Sequence, residues 1–356
     1  MAVVFVEGFD MYNGVGNTTA SAVGVSARWN AGNTALTTGR FGGQAFIVPS
    51  GSNSSRGAVV TLPATYTSGA IGFAVYLPSL SGGGSGQNAA LAVLGLNSLT
   101  PGIDFYSRGQ LFISSYIAGG VQVGTFTTPD MINATGVLTA GTWAYIELEF
   151  VISDTVGTLN LYINGTLAGS ASGQDTKYLA GAGFNQIGLG PGNYMGLSSG
   201  AYFDDLYVTD TPTRLGEQRV VTTYVDADSS NISWSPNTGT TLYTRINETL
   251  CDGDTSYVYA GTLNADAVFG VQDLPVVPIG VNAVQIGSFT RKTDTGLRTV
   301  ALQYQTPTGV QYNSSDYTLG SSYGRQINLL PTNPATGSPW TASEINAMKI
   351  GVKVTT

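Results

Sequence analysis

Apolar and polar residues alternate most clearly between Thr142 and Ser170. Every second residue of the first part is apolar: Ala144, Ile146, Leu148 and Phe150. The residues between them form a different, more polar set: Trp143, Tyr145, Glu147 and Glu149. This period of two predicts a β-strand with one face in the core and the other in water.

The next residues predict a tight hairpin. After a polar turn at Ser153 to Gly157, the alternation returns at Leu159, Leu161 and Ile163. Asn164-Gly165 follows, and these two residue types readily adopt the positive backbone angles that a two-residue hairpin requires. A return strand should therefore run to Ser170.

Strand-like runs separated by turn residues recur along the whole chain. In the front half they are Ala58 to Leu62, Ala70 to Leu77, Ala89 to Leu94, Ile103 to Tyr106 and Gln110 to Ile117. In the back half they are Arg219 to Asp226, Ser256 to Ala260, Ala283 to Phe289, Arg298 to Gln305 and Ile350 to Val354. Short strands at this spacing are typical of sandwiches and barrels, and the back half reads as a second, smaller β-sandwich.

One short helix is predicted near the end of the chain, over residues 341–348. Thr341 is a suitable N-cap, and Glu344 follows three positions later, which together form a capping box. Ile345 and Met348 should then face the neighbouring sheet. Very little other helix is expected.

Length and a break in the pattern indicate two domains. A chain of 356 residues exceeds a typical single domain. The strand pattern stops at Thr209 to Gly216, which includes Pro212. We therefore predict one domain over residues 1–212 and a second over residues 213–356.

Composition supports an all-β protein. Charged residues make up only 10% of the chain, against about 25% in ordinary soluble domains, so Ser, Thr, Asn and Gln must supply much of the surface polarity. The 48 glycines and 19 tyrosines favour many short strands joined by tight turns over long helices.

Charge and residue types exclude several functional classes. A net charge of −8 without any basic cluster disfavours nucleic acid and anionic membrane as partners. The chain has no histidine, which removes Ser-His-Asp and Cys-His catalysis and histidine metal sites. Cys251 is the single cysteine, so no disulfide within the chain is possible. We predict no cofactor and no enzymatic activity.

The front half resembles the laminin-G-like, or concanavalin A-like, jelly-roll family. The tryptophan-containing strand and the Ile-Asn-Gly hairpin carry the resemblance, and three other segments support it. Gly39 to Phe46 looks like the family's early glycine-bracketed strand, and Tyr202 to Val208 looks like its closing strand. Val3 to Asp10 is similar to the opening strand that pairs with the closing one. The resemblance implies a jelly-roll sandwich over roughly residues 1 to 210.

The join and the back half resemble structural proteins of tailed bacteriophages. The matching stretches are YFDDLYVTDTPTRLGEQRV, Trp234-Ser235-Pro236, Asn247-Glu248, Asp252 to Tyr257 and TNPATGSPWTASEINAMKIGVKV. This resemblance implies a virion component, such as a decoration, fibre or tail-associated protein. Its partners would be other capsid or tail proteins and further copies of itself.

The expected location follows from the same resemblance. Residues 1–10 lack both a basic start and a long apolar run, so no signal peptide is predicted. No segment approaches the length of an apolar membrane span. We expect synthesis in a bacterial cytoplasm followed by incorporation into the virion.

A carbohydrate-binding adhesin that recognises host surface glycans is the main alternative. Aromatic rings pack on sugar rings, and two tyrosine-rich stretches are candidates for exposed loops. The candidate sugar-binding residues are Tyr194, Tyr202, Tyr312 and Tyr323.

A glycosidase is the second alternative, because Glu147 and Glu149 lie two apart on one strand face. Retaining glycosidases hold two carboxylates about 5–5.5 Å apart. Jelly-roll glucanases carry Glu-x-Asp-x-x-Glu, whereas this strand has Glu149 at the middle acid and Ile152 at the last one. A solvated polar face is the simpler interpretation, and no catalytic residue is assigned.

A calcium site remains an alternative at the edge where the first and last strands are expected to pair. Asp10, Asp204 and Asp205 should come together if the first and last strands pair, and carboxylate oxygens are calcium ligands. The same acids can instead simply face water. The acidic stretches Asp226 to Asn231 and Asp252 to Asp254 are interpreted as turn caps, and no metal site is assigned.

Overall fold

The protein is described by a computed structural model that covers residues 1–12, 28–31, 34–49, 57–80, 89–100, 108–116, 119–181, 183–190, 200–249 and 252–356. Over these residues the secondary structure is overwhelmingly β, as predicted. The chain divides into two compact units, Met1–Val220 and Val221–Thr356. The sequence places the domain boundary between residues 212 and 213, and the structure groups residues 213–220 with the first unit.

The first unit contains fifteen strands in the described residues. They are β1 Val3–Glu7, β2 Asn30–Ala31, β3 Ala35–Thr38, β4 Gln44–Val48, β5 Ala58–Tyr66, β6 Ser68–Tyr76, β7 Ala89–Gly95, β8 Leu111–Tyr116, β9 Gly120–Gly124, β10 Ile132–Ala134, β11 Trp143–Val151, β12 Gly157–Ile163, β13 Thr166–Gln174, β14 Phe184–Leu189 and β15 Ala201–Thr209.

These strands form two antiparallel sheets. Sheet A has the order β13-β12-β11-β6-β15-β4-β3, and β1 also pairs with β15. Sheet B has the order β10-β9-β8-β7-β14-β5-β2. The core lies between the sheets and includes Phe73 and Phe150 of sheet A with Ile113 and Ile187 of sheet B. The predicted all-β jelly-roll sandwich is confirmed.

The predicted hairpin is also confirmed. β11 pairs with β12, and β12 pairs with β13, each in antiparallel register. Asn164 and Gly165 join β12 to β13 with φ angles of 48° and 78°, which are the positive values that the turn requires. The apolar residues of β11 and β12, such as Leu148 and Leu161, point into the core.

The pairing of the opening strand with the closing strand is confirmed as well. β1 lies antiparallel to β15, with Val6 opposite Tyr207 and Glu7 opposite Leu206. In sheet A, β15 lies between β6 on one side and β4 and β1 on the other. This pairing brings the residues that follow β1 close to the middle of β15.

The second unit is built from shorter strands. They are β16 Val225–Ile232, β17 Ser235–Pro236, β18 Val258–Tyr259, β19 Asp266–Val271, β20 Val284–Thr290, β21 Thr299–Gln305, β22 Gln311–Asn313, β23 Tyr317–Thr318, β24 Gly324–Leu330 and β25 Lys349–Val354. A 3-10 turn at Tyr243–Arg245 and helix α1 at Ala342–Ala347 accompany them.

One six-stranded sheet and two ribbons make up the second unit. The sheet has the order β16-β19-β25-β21-β22, with β23 also on β21, and the ribbons are β17–β18 and β20–β24. Both strands of the β20–β24 ribbon contact β21, so this ribbon forms a second layer. Ile286, Leu302, Tyr304 and Trp340 lie in the shared core.

Helix α1 begins as predicted. The Thr341 side chain accepts a hydrogen bond from the Glu344 N–H at 3.2 Å, and the Glu344 carboxylate accepts one from the Thr341 N–H at 2.8 Å. These two bonds are the capping box. Ile345 and Met348 are buried against the unit's core.

Several strand predictions need correction. The strand predicted over Arg219 to Asp226 is wrong in its first part, because β16 begins only at Val225. β19 and β24 were not predicted, and in β24 the polar residues Arg325, Gln326 and Asn328 interrupt the apolar pattern. The strand predicted over Ile103 to Tyr106 lies outside the described residues.

Candidate functional site

A chain segment covers the outer face of sheet A. Residues 211–220, called here the covering segment, follow β15 and fold back over that sheet. Leu215 of this segment packs on a small buried cluster of Ala74, Tyr145 and Tyr207. The Leu215 N–H donates a hydrogen bond to the Tyr207 hydroxyl at 2.9 Å. The predicted solvated face of β11 is therefore wrong, because the covering segment removes its centre from water.

Glu147 lies at the centre of the covered face and has no exposed surface. The Tyr207 hydroxyl donates to one of its carboxylate oxygens at 2.6 Å, and Arg214 Nη1 donates to the other at 2.9 Å. Burial, followed by the hydrogen bond to Glu147, raises the pKa of Tyr207. A buried carboxylate held in this way stabilises the covering segment on the sheet.

Glu149 also holds the covering segment, by accepting a hydrogen bond from the backbone of that segment. Its carboxylate accepts from the Arg214 N–H at 3.1 Å and from Asn160 Nδ2 at 3.2 Å. The Arg214 guanidinium also lies 4.2 Å from the centre of the Tyr162 ring. Both glutamates considered for glycoside hydrolysis are thus engaged by protein groups.

Three acids come together where β1 and β15 pair, as the sequence predicts. Asp204 accepts hydrogen bonds from the backbone N–H groups of Arg40 and Asp205, both at 2.8 Å. Asp205 accepts one from the Val220 N–H at 2.8 Å. Asp10 accepts one from the Gln44 N–H at 2.7 Å.

A local irregularity of β15 produces this cluster. The register of β15 against β6 shifts between Asp204 and Tyr207, and Asp205 has a φ of 53°. Aspartate tolerates this left-handed conformation better than most residues. The shift turns two successive acids inward, and the two residues are only 5% and 2% exposed.

Burial raises the pKa of all three acids of the cluster. Burial, followed by the neighbouring Asp205 charge, raises the pKa of Asp204 to about 8. Burial also raises the pKa of Asp205 to about 6, against the lowering effect of the Val220 N–H and the Arg40 charge. The pKa of Asp10 is raised by burial too.

Within the part of the chain that the structure describes, no group of three or more acidic, histidine or cysteine side chains could hold a metal ion. Arg40 Nη1 lies 3.6 Å from Asp205 Oδ2 and supplies a positive charge beside the acids. The calcium alternative gains no support from this geometry.

The two other acidic stretches contain turn caps, as interpreted from the sequence. Asp228 accepts from the N–H groups of Leu242 and Tyr243 at 2.9 and 2.7 Å. Asp252 accepts from the N–H of Ser256 at 3.0 Å. These bonds stabilise the 3-10 turn and the turn before β18.

Three of the four candidate sugar-binding tyrosines lie among the described residues. Tyr202 is half-buried on sheet A, in register with Tyr76 and Trp143 across three strands. Its ring stacks on Tyr76 at a centroid distance of 5.2 Å, and Tyr76 contacts Trp143 at 5.6 Å. One face of the Tyr202 ring is therefore occupied by protein. Tyr194 lies outside the described residues.

The two predicted tyrosines of the second unit also pack against protein groups. The Tyr312 ring stacks on buried Tyr304 at 5.8 Å. Tyr323 stacks on Phe289 at 5.2 Å, and the Arg291 guanidinium lies 5.2 Å from its centre. Tyr202 belongs to the first unit, whereas Tyr312 and Tyr323 belong to the second.

An exposed tyrosine pair was missed. Tyr257 and Tyr259 are 36% and 53% exposed, and their ring centroids lie 6.1 Å apart at an interplanar angle of 56°. Val258 between them packs on the core of the second unit. The Tyr-Val-Tyr alternation is the signal that identifies them, because it turns two rings outward from one strand.

The tyrosine pair is held by hydrogen bonds to the β17 side of the ribbon. Asn237 donates its backbone N–H to the Tyr257 carbonyl at 3.0 Å, and its side-chain oxygen accepts from the Tyr257 N–H at 3.3 Å. Pairing of Ser235 with Tyr259 continues the ribbon. These hydrogen bonds join the backbone of the tyrosine pair to the β17 side of the ribbon.

Acidic groups lie beside the tyrosine pair in the chain. The Ser256 hydroxyl contacts the Glu248 carboxylate and donates to Asp252 at 2.9 Å. Asp254 is paired with Arg291 at 2.8 Å. In the described structure no basic side chain forms an ion pair with Glu248 or Asp252, so the turn next to the rings is negative.

Comparison with known proteins gives fold likenesses only. No family model and no curated protein matches the chain. Among solved structures, a Trypanosoma rangeli sialidase is similar at 15% identity and a TM-score of 0.34, over 48% of this chain and 26% of the sialidase. This chain therefore spans about a quarter of that enzyme.

A lectin and a carbohydrate recognition domain are similar over nearly their whole length. Lectin II from Ulex europaeus is 13% identical, with a TM-score of 0.34, over 51% of this chain and 91% of the lectin. The Emp46p carbohydrate recognition domain is 13% identical, with a TM-score of 0.35, over 58% of this chain and 99% of that domain. Because these scores are low, the sandwich described above rests on the strand pairing of this chain.

Among the described residues, none of the helices has the length and apolar character needed to cross a bilayer.

Proposed function

We propose that this chain is a non-enzymatic carbohydrate-binding protein and that Tyr257 and Tyr259 form its sugar-contacting surface. The observation that carries the proposal is the exposed pair of rings on the β17–β18 ribbon. Aromatic rings exposed side by side present apolar faces together with hydroxyl groups. A pyranose offers the matching combination of C–H faces and hydroxyls.

The ring geometry favours an extended glycan. The two rings are tilted by 56° with their centroids 6.1 Å apart, so they contact each other, present faces in different directions and can contact successive sugars. Exposed aromatic rings are common anchors of a binding surface.

Charge favours a neutral glycan. Glu248 and Asp252 lie beside the pair, and their contacts are with the Ser256 hydroxyl. A uronate or sialate carboxylate would be repelled by these two charges at neutral pH. Uncharged hexose or hexosamine polymers are therefore the expected ligand class.

The environment of the two strand glutamates supports a non-enzymatic role. A glycosidase acid must reach the scissile bond, whereas Glu147 is fully buried beneath Arg214 and Tyr207. Hydrolysis of a polysaccharide that is lost in Glu147→Gln or Glu149→Gln would contradict this part of the proposal.

Affinity electrophoresis in gels containing neutral or acidic bacterial polysaccharides tests the sugar site. We expect retardation by a neutral polymer, and at least a tenfold weaker apparent affinity for Tyr257→Ala/Tyr259→Ala, which corresponds to about 1.4 kcal/mol. The matched control is Phe126→Ala, which removes a ring that is 43% exposed in the first unit.

Two results would overturn the sugar site. One is the absence of retardation by every polymer. The other is equal affinity of the wild type and the double tyrosine variant, which would move any sugar binding elsewhere on the chain. Preference for an acidic polymer would contradict the assigned ligand class.

We also propose a place in a phage particle, based on the sequence resemblance of residues 200–356. An exposed apolar loop in the second unit supports an assembly contact: Val276, Val277 and Ile279 are 49%, 86% and 112% exposed. Three neighbouring apolar side chains in water favour burial against another protein. Glycan binding and assembly are assigned to different residues of the second unit, so variants can test them separately.

Particle purification tests the assembly role. We expect the chain in purified virions and the loss of incorporation in Val277→Asp/Ile279→Asp, with the Tyr257→Ala/Tyr259→Ala variant incorporated normally. Absence of the chain from purified particles would remove the virion proposal and leave the sugar site untouched.

A further inference from the structure

The Asp204–Asp205 pair joins three separate segments of the first unit. Asp204 holds the backbone N–H of Arg40, which lies in the turn before β4. Asp205 holds the N–H of Val220, at the end of the covering segment. The β15 backbone itself supplies the third segment. Breaking this junction would detach residues 216–220 from the sandwich.

The Arg40 side chain adds further contacts to this junction. Its guanidinium pairs with Glu217, lies 3.6 Å from Asp205 Oδ2 and reaches the Gln218 carbonyl at 3.5 Å. One side chain thus links the acid pair to two residues of the covering segment. The Tyr145 hydroxyl, from β11 below, donates to the Asp205 carbonyl at 3.0 Å.

The turn before β4 leaves little room for water around Asp204. A Cβ placed on Gly39 would lie 2.8 Å from Asp204 Oδ2 and 2.6 Å from the Gly42 carbonyl oxygen. The turn backbone therefore packs directly on the carboxylate. An ionised Asp204 would have few compensating solvent contacts.

The charges that face the pair do not balance when all acids are ionised. Arg40 and Arg219 are the basic groups that act on it. Asp10 acts as a further negative charge on both acids, and Glu217 already occupies Arg40. Four carboxylates then face two guanidiniums. Glu7 adds to the negative field at Asp10.

We propose that the Asp204–Asp205 pair is a proton-dependent latch, which holds residues 216–220 on the first unit while one of the two acids is protonated and releases them when both are ionised. The physical cause is repulsion between two adjacent carboxylates in a site that excludes water. Opening the covering segment hydrates Asp205, which the Val220 N–H contacts, and so weakens the repulsion between the two charges.

The pKa values place the transition. Burial raises the pKa of both carboxyls, to about 6 for Asp205 and about 8 for Asp204, and the adjacent groups titrate as a pair. The second proton therefore leaves the pair near pH 8. The folded pKa values exceed the ordinary value of 3.8, so the latch is strongest at acidic pH and weakens as the pH rises through about 8.

Limited trypsin cleavage tests the latch in the whole chain. Trypsin cuts after arginine, and both Arg214 and Arg219 lie in the covering segment. We expect cleavage after Arg219 to increase at least tenfold between pH 6.5 and pH 8.5, after correction for trypsin activity on a small ester substrate. The products would be fragments of residues 1–219 and 220–356.

Variants identify the groups responsible. The pH-dependent increase should disappear in Asp204→Asn/Asp205→Asn and persist in Asp154→Asn, which alters an exposed carboxylate paired with Lys177. Corrected cleavage that stays constant with pH in the wild type, or an equal increase in the double variant, would overturn the proposal.

A second measurement covers the case in which the double variant does not fold. Hydrogen exchange in the wild type, corrected for intrinsic rates, should show a tenfold or greater loss of protection at the Val220 and Arg40 amides between pH 6.5 and pH 8.5. Protection at Leu148 in the centre of the sheet should stay constant. Equal behaviour of all three amides would contradict a local latch.

Discussion

The covered face of sheet A and the β17–β18 ribbon differ in which residues they bury: the first buries a glutamate, and the second exposes two tyrosines. On sheet A, Glu147 is fully buried with Arg214 and Tyr207 as partners. On the ribbon, Tyr257 and Tyr259 are exposed. Residue type alone would assign these groups the other way round, because glutamates are usually exposed and large rings usually buried.

This difference in burial indicates that the first set of residues contributes to stability and the second to binding. The sheet-A charges act inside the protein, where a missing partner is costly. The ribbon tyrosines are 36% and 53% exposed, so their removal should affect binding more than folding. Substitutions that affect stability in the first region and only recognition in the second would sharpen this contrast.

The largest expected effect is loss of the buried ion pair. Arg214→Ala leaves Glu147 buried without its cation and should lower the free energy of unfolding of the first unit by about 3–5 kcal/mol. Urea titration read by hydrogen-exchange mass spectrometry resolves the two units. The control Lys177→Ala breaks an exposed pair and should cost about 0–1 kcal/mol. Equal small losses in both variants would remove the contrast.

The next effect concerns pH. Because the pKa values of Asp204 and Asp205 in the folded state lie above 3.8, the folded chain binds more protons than the unfolded chain up to about pH 8. Stability of the first unit should fall by about 3 kcal/mol more in the wild type than in Asp204→Asn/Asp205→Asn between pH 5 and pH 9. Parallel pH profiles for the two proteins would show that the acid pair is not the cause.

A smaller effect is expected from one hydroxyl beneath the covering segment. Tyr145→Phe removes the bond to the Asp205 carbonyl and should lower the stability of the first unit by about 1–2 kcal/mol, since it leaves a buried acceptor unpaired. The same urea titration measures it. An unchanged midpoint would indicate that the Asp205 carbonyl finds another donor.

The smallest stability effect belongs to the ribbon. Tyr257→Ala/Tyr259→Ala should lower the free energy of unfolding of the second unit by only about 1 kcal/mol, because the two residues are 36% and 53% exposed and neither belongs to the buried core. The measurement is the same titration, read on β19 and β25. A loss of several kcal/mol would mean that the rings support the fold and would weaken their assignment as a binding surface.

Local sequence patterns predicted the elements that depend on neighbouring residues. The β11–β12–β13 hairpin follows from period-two alternation and Asn164-Gly165. The capping box of α1 follows from Thr341 and Glu344, whose spacing suffices for the two bonds. The approach of Asp10 to the β15 acids followed from the expected pairing of β1 with β15.

Burial on the second face of a sheet was not predictable in the same way. The alternation on β11 defined the two faces of the strand, but it gave no information on what covers the outer one. Arg219 and Val220 were assigned to a strand of the second domain, whereas their segment packs on the first unit. Tyr312 and Tyr323 were chosen as surface residues, and their rings pack on Tyr304 and Phe289.

The sequence by itself determined the all-β class, the hairpin, the capped helix and the lack of histidine chemistry, because each depends on residue types or on spacings of a few residues. Only the tertiary structure decided that Glu147 is buried and that Tyr257 and Tyr259 are exposed. Exposure depends on which distant segment packs over a strand, and the contact between Arg214 and Glu147 spans 67 residues of chain. A pattern with a period of two residues contains no information about such a contact.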